Sequence, residues 1–179
     1  LARHDLPCNQ LPLRAGHFRA ALWCDSPVCY IGTYPKTVAR SGRFGNPADS
    51  YDAWDVWNYE DGQMIRVVCY TNAAQARLLL NGEVVGEMTP YNDETGSIGW
   101  YVPYSEGTLM AEGFDKDGKK VSEYMIRSST RPYALNASAD VTDVEDSRVV
   151  QIKVDILDDK GNIVKLGDNE SISRLESFK

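Results

Sequence analysis

This sequence is short of positive charge. Lys and Arg number 19 against 26 Asp and Glu, for a formal net charge of −7. Residues 1–45 carry six basic and two acidic side chains, residues 46–130 six and fourteen, and residues 131–179 seven and ten. An acidic body repels a phosphate backbone, and no basic stripe interleaved with aromatics runs along the chain, so nucleic acid is not an expected partner. Long hydrophobic runs are also missing. No apolar stretch approaches the roughly 20 residues that span a bilayer, so no membrane partner is expected. There is no initiator Met, and no charged segment followed by an apolar one in the manner of a signal peptide; the chain reads as an excerpt of something longer.

Histidine is scarce, with His4 and His17 alone, and the cysteines are Cys8, Cys24, Cys29 and Cys69. No two cysteines stand in a CxxC pair, and the histidines complete no zinc pattern with them. Cys29 and Cys69 fall in strand-like segments and read as buried thiols, with a disulfide in an oxidising compartment left open. No glycine-rich loop ends in Lys-Ser or Lys-Thr, so no phosphate cradle is present. Neither a metal nor another cofactor is expected.

Apolar content is ample, at 42% with 10% aromatics, which is enough for a packed core. The most informative stretch is Gln75 to Met88, QARLLLNGEVVGEM. Asn81 and Gly82 both tolerate positive φ, which a two-residue type I′ hairpin demands at its centre. Before it, Met64 to Thr71 alternates, with Ile65, Val67 and Cys69 on one face and Arg66 and Tyr70 on the other. Ser97–Pro103, Thr108–Phe114 and Val121–Arg127 follow as strands, with turns at Tyr104–Gly107 and Asp115–Lys119. This spacing predicts a β-sandwich and not a βαβ fold.

The ends read differently. Leu13 to Trp23 predicts a short helix with Leu13, Phe18, Leu22 and Trp23 as its apolar residues, started by Pro12. Val28 to Thr33 reads as a strand, and Thr37 to Asp55 as a loop. After a boundary at Ser128–Pro132, Tyr133–Asp140 and Arg148–Leu157 read as strands, with a tight turn at Asp158–Asn162. Three or four strands are fewer than the seven or so of a full sandwich. The expected divisions are 1–45, 46–130 and 131–179. The fold class is all-β, immunoglobulin-like sandwiches with a short N-terminal helix.

The stretches FRAALWCDSPVCYI, VWNYEDGQMIRVVCYTN, ARLLLNGEVVG, WYVPYSEGTLMAEGFDKDGK and RVVQIKVDILDDKGN together resemble the C-terminal region of glycoside hydrolase family 2, the β-galactosidase-like enzymes. The resemblance implies that residues 1–45 close a catalytic (β/α)₈ barrel, with sandwich domains after it. It implies a catalytic barrel of the same parent protein as partner, and a periplasmic or extracellular setting. Val56-Trp57-Asn58-Tyr59 stands where relatives often carry HWNW. LGDNESISRLESFK follows Lys165 at once, where relatives interpose strands, so the last domain is shortened or a stretch between about Asn162 and Asp168 is omitted.

A retaining glycosidase needs two carboxyls about 5–5.5 Å apart, and the resemblance places them in the barrel. The acids present here, including Glu60, Asp61, Asp115, Asp117, Asp158 and Asp159, fall on turns, where Asp serves backbone geometry. Asp115-x-Asp117-Gly118 and Asp158-Asp159-x-Gly161-Asn162 read as hairpin turns, because neither has the ligand spacing or closing Glu of a calcium loop. His17 reads as a surface or packing residue and no catalytic residue is expected. Aromatics offer the alternative, a carbohydrate-binding surface. Trp57 and Trp100 read as core, Trp100 and Tyr101 must point to opposite faces of their strand, and Trp54, Tyr59 and Tyr91 are the candidate sugar contacts. A structural interaction domain is a third reading, and self-association stays open.

Overall fold

The computed structural model describes residues 14–34, 53–139 and 152–165. The expectations for His4, Cys8, Pro12 and Leu13, for most of the 37–55 loop, for residues 148–151 and for the tail after Lys165 lie outside the described residues. The chain divides into two compact units, Leu1–Ser128 and Ser129–Lys179.

The first unit is a two-sheet sandwich. One sheet has the order β1-β2-β5, from Cys29–Thr33, Met64–Thr71 and Ile98–Pro103. The other has the order β4-β3-β6-β7, from Glu83–Pro90, Gln75–Leu80, Thr108–Phe114 and Lys120–Arg127. All neighbours are antiparallel. The β3–β4 hairpin turns at Asn81 (φ 53°) and Gly82 (φ 89°), the pair of positive values that a type I′ turn requires. β1 is hydrogen-bonded to β2 along its length, from Cys29 opposite Thr71 to Thr33 opposite Val67, and is thus a strand of this sandwich.

Inward-facing side chains of both sheets make the core: Ile31, Ile65, Val67, Cys69, Ile98, Trp100 and Val102 from one, and Ala76, Leu78, Leu109, Ala111 and Ile126 from the other. Trp57 and Tyr104 close one end of it. Trp57 is fully buried and donates its indole N–H to the Ser105 carbonyl at 3.0 Å, so its polar atom is satisfied as burial requires. Trp100 lies over Gly86, where an added Cβ would come within 2.7 Å of the indole ring. Only glycine lets the aromatic approach β4 so closely.

The helix α1, Arg14–Trp23, rests on the outer face of the first sheet. His17 stacks on Tyr30, with ring centroids 4.1 Å apart, and Phe18 meets Tyr70 edge-on. This cover explains why β2 is buried on both faces over its second half, Val68 and Tyr70 included, in place of simple alternation. The helix turns small residues inward. Its inward residues are Gly16, Ala20 and Ala21, while Leu22 and Trp23 stand out in solvent, Trp23 at 75% exposure. The rings of Tyr30 and Tyr70, with His17 and Phe18 of the helix against them, fill much of the space above the sheet, and the small Ala20 and Ala21 pack beside them.

The second unit has β8 (Ala134–Ala139) paired antiparallel with β9 (Ile152–Leu157). Opposed pairs Leu135–Ile156, Ala137–Val154 and Ala139–Ile152 put apolar residues on one face, while Asn136–Asp155 and Ser138–Lys153 share the other with Ala134–Leu157. The turn after β9 is tied by Asp158, whose carboxylate accepts from the backbone N–H groups of Thr130, Lys160 and Asn162.

Candidate functional site

The four cysteines resolve in part. Cys24 is disulfide-bonded, while Cys29 and Cys69 are free thiols with sulfurs 3.7 Å apart at the core of the sandwich. The bond between the two thiols and their burial push the Cys69 thiol well above its ordinary value, so it is inert.

The acidic turns are built alike. Asp115 Oδ1 accepts from the N–H groups of Asp117 and Lys119, and Asp158 Oδ1 accepts from those of Lys160 and Asn162. Each turn ends on a glycine at positive φ, Gly118 at 79° and Gly161 at 81°. Both carboxylates hold turns together. Burial alone would raise the Asp158 carboxyl, but its N–H donors at Thr130 and Asn162, the Asn162 amide and Lys160 pull it down to about 2. Glu112, on the outer face of β6, is bound by Arg77 at 2.7 Å and Lys120 at 2.8 Å. The Lys120 bond pulls its carboxyl below the ordinary value, burial opposes this, and Arg77 adds to the pull.

The three candidate sugar contacts lie in different surroundings. Trp54 is half-buried where its backbone bridges to Thr33. Tyr59 sits against Trp57 and Tyr104 and donates its hydroxyl to Thr33 Oγ1 at 2.6 Å. Tyr91 lines an open groove of about 920 Å³, whose lining includes neither Trp54 nor Tyr59.

That groove is an open concave surface of the first unit. Its floor is the outward face of β5 and β2, where Tyr101 stands opposite Arg66 and Gly99 opposite Val68. β5 alternates buried and exposed without a break, so Trp100 points in and Tyr101 points out, 70% exposed. Gly99 leaves bare backbone beside it: an added Cβ would find only the Val67 carbonyl oxygen, at 3.8 Å. Arg66 lies with its guanidinium 5.6 Å from the centre of the Tyr34 ring, which limits its swing. The wall is the Tyr91–Ser97 turn, held by Asn92 Oδ1 accepting from the N–H groups of Glu94 and Thr95. Phe18 of α1 packs under this turn, 2.9 Å from where a Cβ on Gly96 would lie. Burial, then the Asp93 carboxylate, raise the Tyr91 phenol above its ordinary value, so its hydroxyl remains a donor at neutral pH. Tyr101 is the residue that the candidate set lacked. The strict alternation from Ile98 to Val102, with Gly99 on the same side, is the signal that exposes it.

Sandwich and groove define an immunoglobulin-like β-sandwich region, and comparison with known proteins shows what it is similar to. Residues 51–122 match a domain family of unknown function, DUF4982. Beta-galactosidase BoGH2A of Bacteroides ovatus is 28% identical over 116 residues, 63% of this chain and 13% of the relative. A glycosyl hydrolase family 2 member from Bacteroides cellulosilyticus superposes with a TM-score of 0.69 at 30% identity, over 83% of this chain and 20% of that one. A beta-glycosidase from Bacteroides vulgatus superposes with a TM-score of 0.63 at 26% identity, over 83% of this chain and 16% of that one. The chain is thus similar to β-sandwich regions of glycoside hydrolase family 2 proteins. It spans 12% and 13% of the length of the curated relatives it matches.

Proposed function

We propose that this chain is a non-catalytic supporting portion of a glycoside hydrolase acting in carbohydrate breakdown, set beside the catalytic barrel of the same polypeptide. The observation that carries the reading is the use made of its buried acids. Glycoside cleavage by two carboxyls needs one of them protonated near neutral pH, with its pKa raised. Glu112 and Asp158 are both shifted the other way, the first by ion pairs and the second by N–H donors. Each is committed to holding strands or a turn together. The family relatives, several times longer than this chain, supply the context of a larger enzyme. The Cys24 disulfide supports an oxidising, periplasmic or extracellular, setting for the parent.

The test is hydrolysis of nitrophenyl β-galactoside and β-glucuronide by the purified chain, with the longer parent protein as the positive arm. The chain alone gives no turnover. Turnover that persists in the chain, and is lost on Glu112→Gln, overturns the reading.

A further inference from the structure

We infer that the groove between Tyr101 and the 91–97 turn is a binding site for a neutral oligosaccharide. The inference goes beyond the supporting role and rests only on the geometry of this face. A sugar ring offers an apolar C–H face and a rim of hydroxyls, so it needs a flat aromatic surface flanked by hydrogen-bonding groups. Tyr101 supplies the surface. The residue is 70% exposed on the outward side of a strand whose other side is held in the core by Trp100, so the platform is well anchored.

Two further features suit a saccharide. Gly99 leaves the floor beside Tyr101 without a side chain, so a second sugar unit can lie against open backbone. Arg66 lies on the neighbouring strand, and Tyr91, Asp93 and Ser97 also line the groove, so residues with donors and acceptors border it. The charge balance then selects among sugars. One cation, Arg66, faces two carboxylates, Asp93 and Glu94, all within the groove lining. A neutral glycan meets acceptors for its hydroxyl protons, whereas a uronic acid chain brings negative charge to a site that already holds a surplus.

The experiment uses the isotope-labelled chain and follows backbone amide NMR signals during titration with cellotetraose, β-1,4-galactotetraose and trigalacturonate. The expected result is saturable shifts at Gly96, Ser97, Gly99 and Tyr101 with a neutral tetrasaccharide at millimolar concentration. Tyr101→Ala weakens binding by roughly tenfold or more, as loss of an aromatic platform does, while Tyr101→Phe keeps most of it. Gly99→Val is the second variant. Its side chain stands in the groove, and the open space around Gly99 lets the fold accept it. It abolishes the shifts without changing the melting temperature by more than a few degrees. Absence of shifts with both neutral sugars, shifts that fall elsewhere, or undiminished binding by Tyr101→Ala overturns the site. Tighter binding of trigalacturonate overturns the charge argument. A chain that binds no sugar leaves the supporting role as it stands, since that role is read from hydrolysis.

Discussion

The Asn81 side chain occupies the space that a side chain on Gly107 would fill. A Cβ at Gly107 would overlap the Asn81 amide, and Gly107 sits at φ 141°, in the region L side chains rarely adopt. The amide is there for a reason: Asn81 Oδ1 accepts from the Thr108 N–H at 2.8 Å, and its Nδ2 donates to the Glu106 carbonyl at 3.0 Å. One residue thus makes the β3–β4 turn and pins the loop between β5 and β6. Gly107→Ala should cost about 2–4 kcal/mol, from backbone strain plus two displaced hydrogen bonds. Urea unfolding of the two chains measures it. A loss below half a kcal/mol would mean that the loop yields freely.

Asn72 holds the helix segment to the sandwich in the same manner. Its Oδ1 accepts from the Val28 N–H at 2.8 Å, and its Nδ2 donates to the carbonyls of Cys24 and Ser26 at 3.0 and 2.8 Å. Beside it, buried Thr71 donates to the Val28 carbonyl at 2.7 Å. Asn72→Ala strands one donor and two acceptors at the end of α1, a partly exposed place, so about 1–3 kcal/mol is expected. Hydrogen exchange should quicken at Val28 and along α1 while β6 keeps its protection. Uniform quickening throughout the sandwich would show instead that α1 and the sheets open as one unit.

These two residues mark the limit of what letters reveal. The Asn81-Gly82 turn was legible because its requirement, positive φ at two adjacent positions, is local. The strands from Met64 to Arg127 were legible because a half-buried strand alternates. Asn72 was not, since its partners lie 44 to 48 residues earlier. The helix was legible as a helix, but which of its residues meet the sheet was not: Ala20 and Ala21 do, and Trp23 does not. For the site, Tyr91 was visible as a turn aromatic, but Tyr101 required knowing which face of β5 the core takes.

Glu112 links three strands. Arg77 on β3 and Lys120 at the start of β7 both bind it, and Lys120 also meets Glu123 at 2.6 Å. Glu112→Gln should cost roughly 1–2 kcal/mol, a modest value because both cationic partners are well exposed. The pH dependence follows from a carboxyl lowered in the folded state. Its contribution is present above the ordinary carboxylate pKa of 4.5 and is lost as pH falls through the folded value. The variant and the parent sequence should therefore converge in stability in acid and diverge at neutral pH. Equal pH profiles would show the ion pairs to be worth nothing.

Asp158 gives the sharpest acid response. Its carboxyl lies at about 2 in the fold against an ordinary 3.8, so the stability it supplies is complete above 3.8 and is lost as pH falls from there towards 2. Protonation weakens its acceptance of the Thr130, Lys160 and Asn162 N–H groups together, which frees the turn after β9 and the start of the second unit at one stroke. Amide exchange at Lys160 and Asn162 should rise across that pH window, ahead of exchange at the β3–β6 ladder of the first unit. The matching turn at Asp115 is the internal control, because it has the same two N–H donors to one oxygen but no counterpart to Thr130. Asp158→Asn should reproduce the acid state at neutral pH and leave the Asp115 turn protected. Loss of protection in both turns at once would show that acid acts on the whole fold and not through this carboxylate.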